Sequence, residues 1–382
     1  MSLLRLVDMQ LLVLQPTPFC NIDCAYCYLP QRNDRRRMSR ETLEAIGHRI
    51  VSGPMYRDQT TIVWHAGEPL VVPPDWYRDA VDILEAASGR TITHQSFQTN
   101  ATLINDAWLD HLASPGVSVG VSLDGPQDLH DLNRRDRRGR GTWRSTMNGI
   151  DRLNARGIPF HVIAVITRTS LDRPREVAQA LVAAGPTSIG LNLEEIDGVN
   201  DVSSLLECDA QDRVRRFLDG FLDVLDATPD APKLREADAL RNLLGTMKSG
   251  RGARSQENTP GAIVSVDVQG DISTYSPELL GVEAPQFNGF KFGNVHDIRD
   301  LSDVFLSRAF LNTHRQIAAG VAKCARSCAH FPLCGGGAPS NKFGETGRLD
   351  STETAFCRLS VKTVLDHLAD RFAVPATEGT SR

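Results

Sequence analysis

Short apolar runs alternate with amphipathic stretches through the first half of the chain. Leu11–Leu14, Thr60–Trp64, Ile92–Phe97, Val117–Leu123, Phe160–Ile166 and Ser188–Leu193 are runs of four to seven residues, mostly rich in Val, Ile and Leu. Such runs suit strands of a parallel sheet buried on both faces. Between them lie segments with helical spacing: Leu43, Ile46 and Ile50 after a capping Ser39, then Asp75–Ala87, Asp106–Leu112, Thr142–Arg156 and Pro174–Ala184. Six strands interleaved with helices predict an α/β fold, either a parallel sheet or an open barrel. Reactive groups in such folds sit at the C-terminal ends of the strands.

The second half reads differently. Glu207–Leu225 and Lys233–Met247 have the spacing of two helices, and the polar stretch Gly250–Pro260 breaks the pattern. Ile263–Val268, Gly270 and Ile272–Tyr275 predict a hairpin, and an amphipathic helix is expected from about Thr354 to Phe372. This divides the chain into a core over 1–205, a helical bridge over 206–256, a second domain over 257–372 and a flexible tail over 373–382.

Composition narrows the class. Among 382 residues, 41% are hydrophobic and 23% charged, as in a soluble globular enzyme. A net charge of −5 gives no global pull toward nucleic acid or an anionic membrane, so neither is expected as a partner. No apolar run reaches the ~20 residues of a membrane span, and Met1–Gln10 does not read as a secretory signal. The expected location is the cytoplasm.

In a cytoplasmic chain of this size the eight cysteines are not expected to form a disulfide framework, and their clustering suggests metal ligation. Cys20, Cys24 and Cys27 lie within eight residues, and Cys324, Cys328, Cys334 and Cys357 form a second group. Cys208 stands alone and is expected to be a small buried core residue. The triad has spacing C-x3-C-x2-C in the loop after the first strand. Three thiolates can hold three irons of a [4Fe–4S] cubane and leave the fourth open, whereas zinc usually takes four ligands.

Here the chain resembles the radical S-adenosylmethionine (radical SAM) superfamily. The resemblance continues in Trp64-His-Ala-Gly67-Glu68-Pro69, Phe97-Gln98-Thr99-Asn100 and Ser122-Leu-Asp124-Gly125-Pro126, each at a strand end, and in Arg134. It implies a partial (β/α)6 TIM barrel in which the cluster cleaves S-adenosylmethionine to a 5′-deoxyadenosyl radical. Gly67 and Glu68 would hold the ammonium of S-adenosylmethionine. Ser122 and Arg134 would bind its carboxylate and ribose side, while Tyr26 and Val165 flank the adenine. Gln98, Asn100 and Asp124 complete the cofactor-binding set that the resemblance implies.

The C-terminal cysteines, with Cys334-Gly-Gly-Gly, resemble the SPASM extension of peptide-modifying radical SAM enzymes, an α+β unit that commonly carries two auxiliary clusters. The ligands of the first are missing together: Ser276 and Ala338 stand where cysteines occur, and no cysteine lies between 209 and 323. The set for one auxiliary [4Fe–4S] cluster is complete, and its expected role is electron transfer. Structural zinc on four cysteines obeys the same ligand rules.

Within that group the chain looks most like the cyclophane-forming maturases of glycine-rich repeat peptides. The more specific matches are Leu191-Asn-Leu-Glu-Glu-Ile-Asp-Gly, Ser276-Pro-Glu-Leu-Leu-Gly, Cys334-Gly-Gly-Gly-Ala-Pro-Ser-Asn-Lys, Ser351-Thr-Glu-Thr and Cys357-Arg-Leu. The resemblance implies a ribosomally made precursor peptide as substrate and an electron donor of flavodoxin or ferredoxin type. A radical at the Cβ of one residue would add to a nearby aromatic ring, and the adduct would then lose one electron and one proton. Glu194 or Glu195, after the sixth strand, is the candidate base, and alternation points one of them inward. Glu278 and His65 are further candidates. One rival is a sulfatase maturase, whose base position is occupied here by Pro277; another is a zinc-stabilised adaptor. With 19 residues before Cys20, no N-terminal leader-binding domain is expected, and the leader could instead pair with an edge of the Ile263–Tyr275 hairpin.

Overall fold

The computed structural model describes residues 7–248 and 254–372. The tail 373–382 and part of the polar break at 250–260 lie outside the described residues. The apolar runs become β1 (Leu11–Leu14), β3 (Thr61–Trp64), β4 (Gln95–Thr99), β5 (Val117–Ser122), β7 (Phe160–Ile166) and β8 (Ser188–Leu193). A short pair, β2 (Ile22–Cys24) and β6 (Arg134–Asp136), forms a separate antiparallel sheet. Later strands are β9 (Lys233–Leu234), β10 (Ile263–Val266), β11 (Asp271–Thr274) and β12 (Gly293–Asn294).

The large sheet runs β12-β11-β10-β1-β3-β4-β5-β7-β8-β9. Every pair from β10 through β1 to β9 is parallel, while β10–β11 and β11–β12 are antiparallel. The sheet is open, so the partial barrel is not closed by a pairing between its edges. Leu12, Leu14, Ile62, Trp64, Phe97 and Val121 are buried along it. Trp64, Tyr77, Phe97 and Trp108 form an edge-to-face cluster against the helices Pro74–Ser88 and Asp106–Leu112. Ser39 caps its helix as expected, accepting from the Thr42 amide at 3.1 Å.

Some elements differ from the sequence reading. The third core strand starts at Gln95, because Gln95 is the first residue registered opposite Ile62. Lys233–Leu234 adds a strand beside β8 before its helix begins at Arg235. The bridge helix starts at Ala210, not Glu207, leaving Cys208 exposed in the turn before it; the expectation of a buried Cys208 is corrected. The hairpin offers no free β10 edge, since β1 covers one side and β11 the other. The expected pairing of a leader with an edge of the hairpin would therefore fall to β11, of which β12 covers Asp271 and Ile272. The C-terminal helix opens with a π-helical turn, Cys357–Thr363, before the α-helix Val364–Phe372.

Candidate active site

The strand ends of the sheet surround a cavity of about 250 Å³. Cys20, Cys24, Cys27, Tyr26, Gly67, Glu68, Gln98, Asn100, Ser122, Arg134, Val165, Glu194 and Glu195 all line it. Asp124 does not, and it works from behind. Its carboxylate accepts from Arg134 Nε at 3.0 Å and Nη2 at 3.1 Å, from the Val165 amide at 3.0 Å and from the Tyr26 hydroxyl. The fully buried Asp124 carboxyl is held below its usual range, burial being outweighed by Arg134, His130 and these hydrogen bonds. Arg134 lies 5.4 Å from the Tyr26 ring centroid, so one buried carboxylate orients both side chains.

The cysteine loop is splinted. β2 and β6 place Cys24 opposite Arg134, whose Nη1 lies 4.0 Å from Cys24 Sγ. Arg137 donates to the Cys20 carbonyl at 2.8–3.0 Å and to the Arg32 carbonyl at 2.6 Å. The basic run Arg134–Arg140, which alone reads as a solvated loop, thus holds the loop in part. Burial pushes the Cys20 and Cys24 thiols up to about 12, and nearby charges act on both. Such thiols ionise when a metal takes the proton's place.

Gly67 makes the close turn possible. It has φ +147°, and a Cβ there would sit 2.2 Å from the Thr17 carbonyl oxygen. Next to it, Glu68 Oε1 accepts from Thr99 Oγ1 at 2.6 Å and the Leu70 amide at 3.0 Å, while Oε2 accepts from the Asn100 amide at 2.8 Å. Glu68 therefore ties the ends of β3 and β4 together. Burial raises its carboxyl to about 7, against the pull of those hydrogen bonds.

The two glutamates after β8 separate. Glu194 is held by the Ser204 amide at 2.8 Å and the Ser204 hydroxyl. Glu195 accepts from Asn341 Nδ2 at 2.5 Å, and burial, then Asp197, Glu278 and Glu257, raise its carboxyl well above the usual range. Glu195 keeps some surface toward the cavity although protein surrounds it, which is why it is desolvated without being fully covered. Tyr28 and Asp197, which the sequence reading did not single out, also line the cavity. Tyr28 Oη is 3.1 Å from His65 Nε2, and burial lowers His65 to about 4, leaving it neutral at pH 7.

The four C-terminal cysteines line a second, smaller cavity of about 90 Å³. The Gly336 amide donates to Cys334 Sγ at 3.4 Å, and Lys342 Nζ donates to Cys324 Sγ at 3.7 Å. Burial raises Cys357 to about 11. Among the described residues, no three His, Cys, Asp or Glu side chains converge as on a single metal ion, whereas a cubane takes each thiolate on a different iron. Buried thiols, amide-to-sulfur hydrogen bonds and adjacent cations fit iron–sulfur clusters at both places.

An open, mostly parallel sheet places three thiols beside a cavity at its strand ends, an arrangement with room for a metal cluster next to a small organic molecule. Comparison with known proteins identifies the family. The model of the radical SAM superfamily matches residues 14–181. An uncharacterized protein of Synechocystis sp. is 40% identical over 366 residues, covering 93% of this chain and 90% of that protein. The serine-type anaerobic sulfatase-maturating enzyme of Klebsiella aerogenes is 35% identical over 172 residues, 44% of this chain and 42% of that enzyme. The solved structure of anSMEcpe with bound AdoMet and the Cp18Cys peptide has a TM-score of 0.76 at 19% identity, covering 95% of this chain and 98% of that one. This chain belongs to the radical SAM superfamily and is an enzyme of it, with S-adenosylmethionine and iron–sulfur clusters as cofactors. Among the described residues, no helix is long and apolar enough to cross a membrane.

Proposed function

We propose that this enzyme modifies a ribosomally made precursor peptide by closing a carbon–carbon cross-link, a cyclophane, between an aromatic ring and the Cβ of a nearby residue. The observation that carries this reading is one short helix, Pro339–Thr346. Its Asn341 holds the buried Glu195 at 2.5 Å, and its Lys342 reaches Cys324 at 3.7 Å. A candidate proton acceptor and a candidate cluster ligand are thus held by neighbouring residues.

In this reading Cys20, Cys24 and Cys27 hold the cluster that binds S-adenosylmethionine, and Cys324, Cys328, Cys334 and Cys357 hold the auxiliary cluster. When bound, the first cluster and S-adenosylmethionine supply a radical that takes a hydrogen atom from the peptide, and the auxiliary cluster supplies an acceptor for one electron. Tyr26, Gly67, Glu68, Gln98, Asn100, Ser122, Arg134 and Val165 line the cofactor's place, with Asp124 orienting Arg134 and Tyr26. Glu195 takes the proton lost when the ring regains aromaticity, and Asn341 fixes the carboxylate that receives it. Glu194, tied to Ser204, shapes the loop. Residues 1–205 would form the cofactor-binding core, 206–256 a bridge and 257–372 the auxiliary-cluster unit. Reducing equivalents would come from a flavodoxin or ferredoxin type donor in the cytoplasm.

Sulfatase-type maturation is the second reading, favoured by the match over the core. Pro277 bears no proton acceptor, and Ser276 and Ala338 cannot ligate as thiolates, which favours the cross-link. Co-expression with a glycine-rich repeat precursor followed by tandem mass spectrometry separates the two. A cross-link and a serine-to-formylglycine oxidation both remove two hydrogens, whereas a cysteine that becomes formylglycine also exchanges its sulfur for oxygen. A cross-link suppresses backbone fragments between two residues, whereas formylglycine localises the loss to one Ser or Cys. A loss confined to one residue would overturn the cyclophane reading.

A further inference from the structure

Four carboxyl groups outside the thiol sites meet where two cavities join. Glu195 and Glu278 line both the 250 Å³ cavity and a neighbouring one of about 310 Å³. Glu257 lines the second. Asp197 lines the first, and also a groove of about 780 Å³ that shares Leu29 and Asp197 with it. Burial raises all four carboxyls, and the charges of the others add to the effect on Glu195, Asp197 and Glu257.

Among the described residues, no Lys or Arg forms an ion pair with any of the four. Arg235 faces Glu257, but its guanidinium is engaged by Glu236, Asn192 and the Leu191 carbonyl. Arg32 and Arg137, at the groove, both face Asp23. Two acceptors are left over. Asp197 is 5% exposed, and its Oδ1 accepts from the Gly198 amide at 2.8 Å while Oδ2 has no partner. The Ser340 hydroxyl acts on this carboxyl as a hydrogen-bond donor that pulls it down, while no donor meets hydrogen-bond geometry at Oδ2. Glu278 Oε2 is covered and likewise unpartnered.

Buried acids without counter-charges cost several kcal/mol when ionised, and a cation arriving from outside would supply the missing counter-charge. The carboxylates do not converge as on a metal ion. Leu29, Ile163, Leu193 and Tyr28 give the same cavity apolar walls. Apolar walls beside carboxyl groups that lack counter-charges match a methylene stem with a charged head.

We propose that Asp197 and Glu278, supported by Glu195 and Glu257, form a subsite for a cationic side chain, lysine or arginine, of the substrate peptide. The proposal rests on the peptide-modifying reading and adds to it the charge of a residue that the site selects. The groove admits the peptide, and the Asp197–Glu278 wall receives the ammonium or guanidinium.

The test uses reconstituted holoenzyme with S-adenosylmethionine and two probes, Nα-acetyl-lysine methylamide and its norleucine counterpart, with binding followed by saturation-transfer NMR. The lysine probe is expected to bind at least tenfold more tightly. That preference should disappear in Asp197→Asn/Glu278→Gln, with iron content and thermal unfolding as checks on folding. If the double variant does not load iron, Asp197→Asn and Glu278→Gln are used singly, and each should lose part of the preference. Equal binding of the two probes to wild type, or a preference that survives the substitutions, overturns the subsite. Failure of the cross-link reading shows separately, in the peptide mass spectrum, and leaves the lysine preference measurable.

Discussion

Two adjacent glutamates illustrate how much a single side chain's environment decides. Glu194 is held by Ser204 and Glu195 by Asn341, and burial raises the Glu195 carboxyl. Glu195→Gln keeps the shape and removes the proton acceptor. Cross-linked product should fall about 100-fold or more, while 5′-deoxyadenosine, read by chromatography, continues to form. Glu194→Gln should change product by less than about threefold, since it touches no proposed proton path. At Gly67 the constraint is steric. Alanine would have to adopt φ +147° with its Cβ 2.2 Å from the Thr17 oxygen. Gly67→Ala is expected to cost about 1–3 kcal/mol from backbone strain alone and to weaken S-adenosylmethionine binding, both readable by thermal melts with and without the cofactor.

Elements carry a different kind of information. The strands of the core were legible because buried parallel strands read as short, mostly apolar runs, and Leu11–Leu14, Phe160–Ile166 and Ser188–Leu193 fall where the sequence placed them, although His161 and Asn192 interrupt the last two. The motifs at their ends were legible for the same reason, since a strand end fixes where its next residues go. Pairing between distant segments was not. Nothing local in Ile263–Val266 says that it lies parallel to Leu11–Leu14, and nothing in Arg134–Asp136 says that it pairs with Ile22–Cys24. The helix Pro339–Thr346 is the sharpest case. Its motif was visible, but that Asn341 reaches Glu195 146 positions away is a property of the fold. Lys342 is 5% exposed and donates to Cys324 Sγ. A cation beside a cluster thiolate favours the reduced, more negative cluster. Lys342→Met should therefore move the midpoint potential of the C-terminal cluster to a more negative value, in a titration followed by electron paramagnetic resonance. Lys342→Arg should restore much of the shift. An unchanged potential with full iron loading would mean that the lysine only packs.

At the scale of the whole molecule, the sheet gathers acidic groups where little water reaches them. Burial puts Glu68 and Glu257 each near 7, and it raises Glu195, Asp197 and Glu278 as well. The sign of the linkage follows from where the protons sit. Between the ordinary carboxyl range near 4.5 and the raised folded value near 7, the folded chain holds protons that the unfolded chain has released. Stability is therefore greatest below that window and falls as pH rises through it. For Glu257 alone, moved from 4.5 to about 7, the full swing is on the order of 3 kcal/mol. Buried histidines such as His65, His111 and His130, lowered to about 4, act with the opposite sign below pH 6.5, so the test is a difference: the melting temperature of metal-free Glu257→Gln should gain on that of the metal-free wild type between pH 5 and pH 8, because an amide has no proton to lose. A cation seated between Asp197 and Glu278 would oppose the same trend by stabilising the ionised forms. The lysine probe, added to the metal-free protein, should accordingly raise the melting temperature more at pH 8 than at pH 5, and the norleucine probe should not. If both probes act equally at both values, the acids titrate as a closed structural cluster and do not receive a charged side chain.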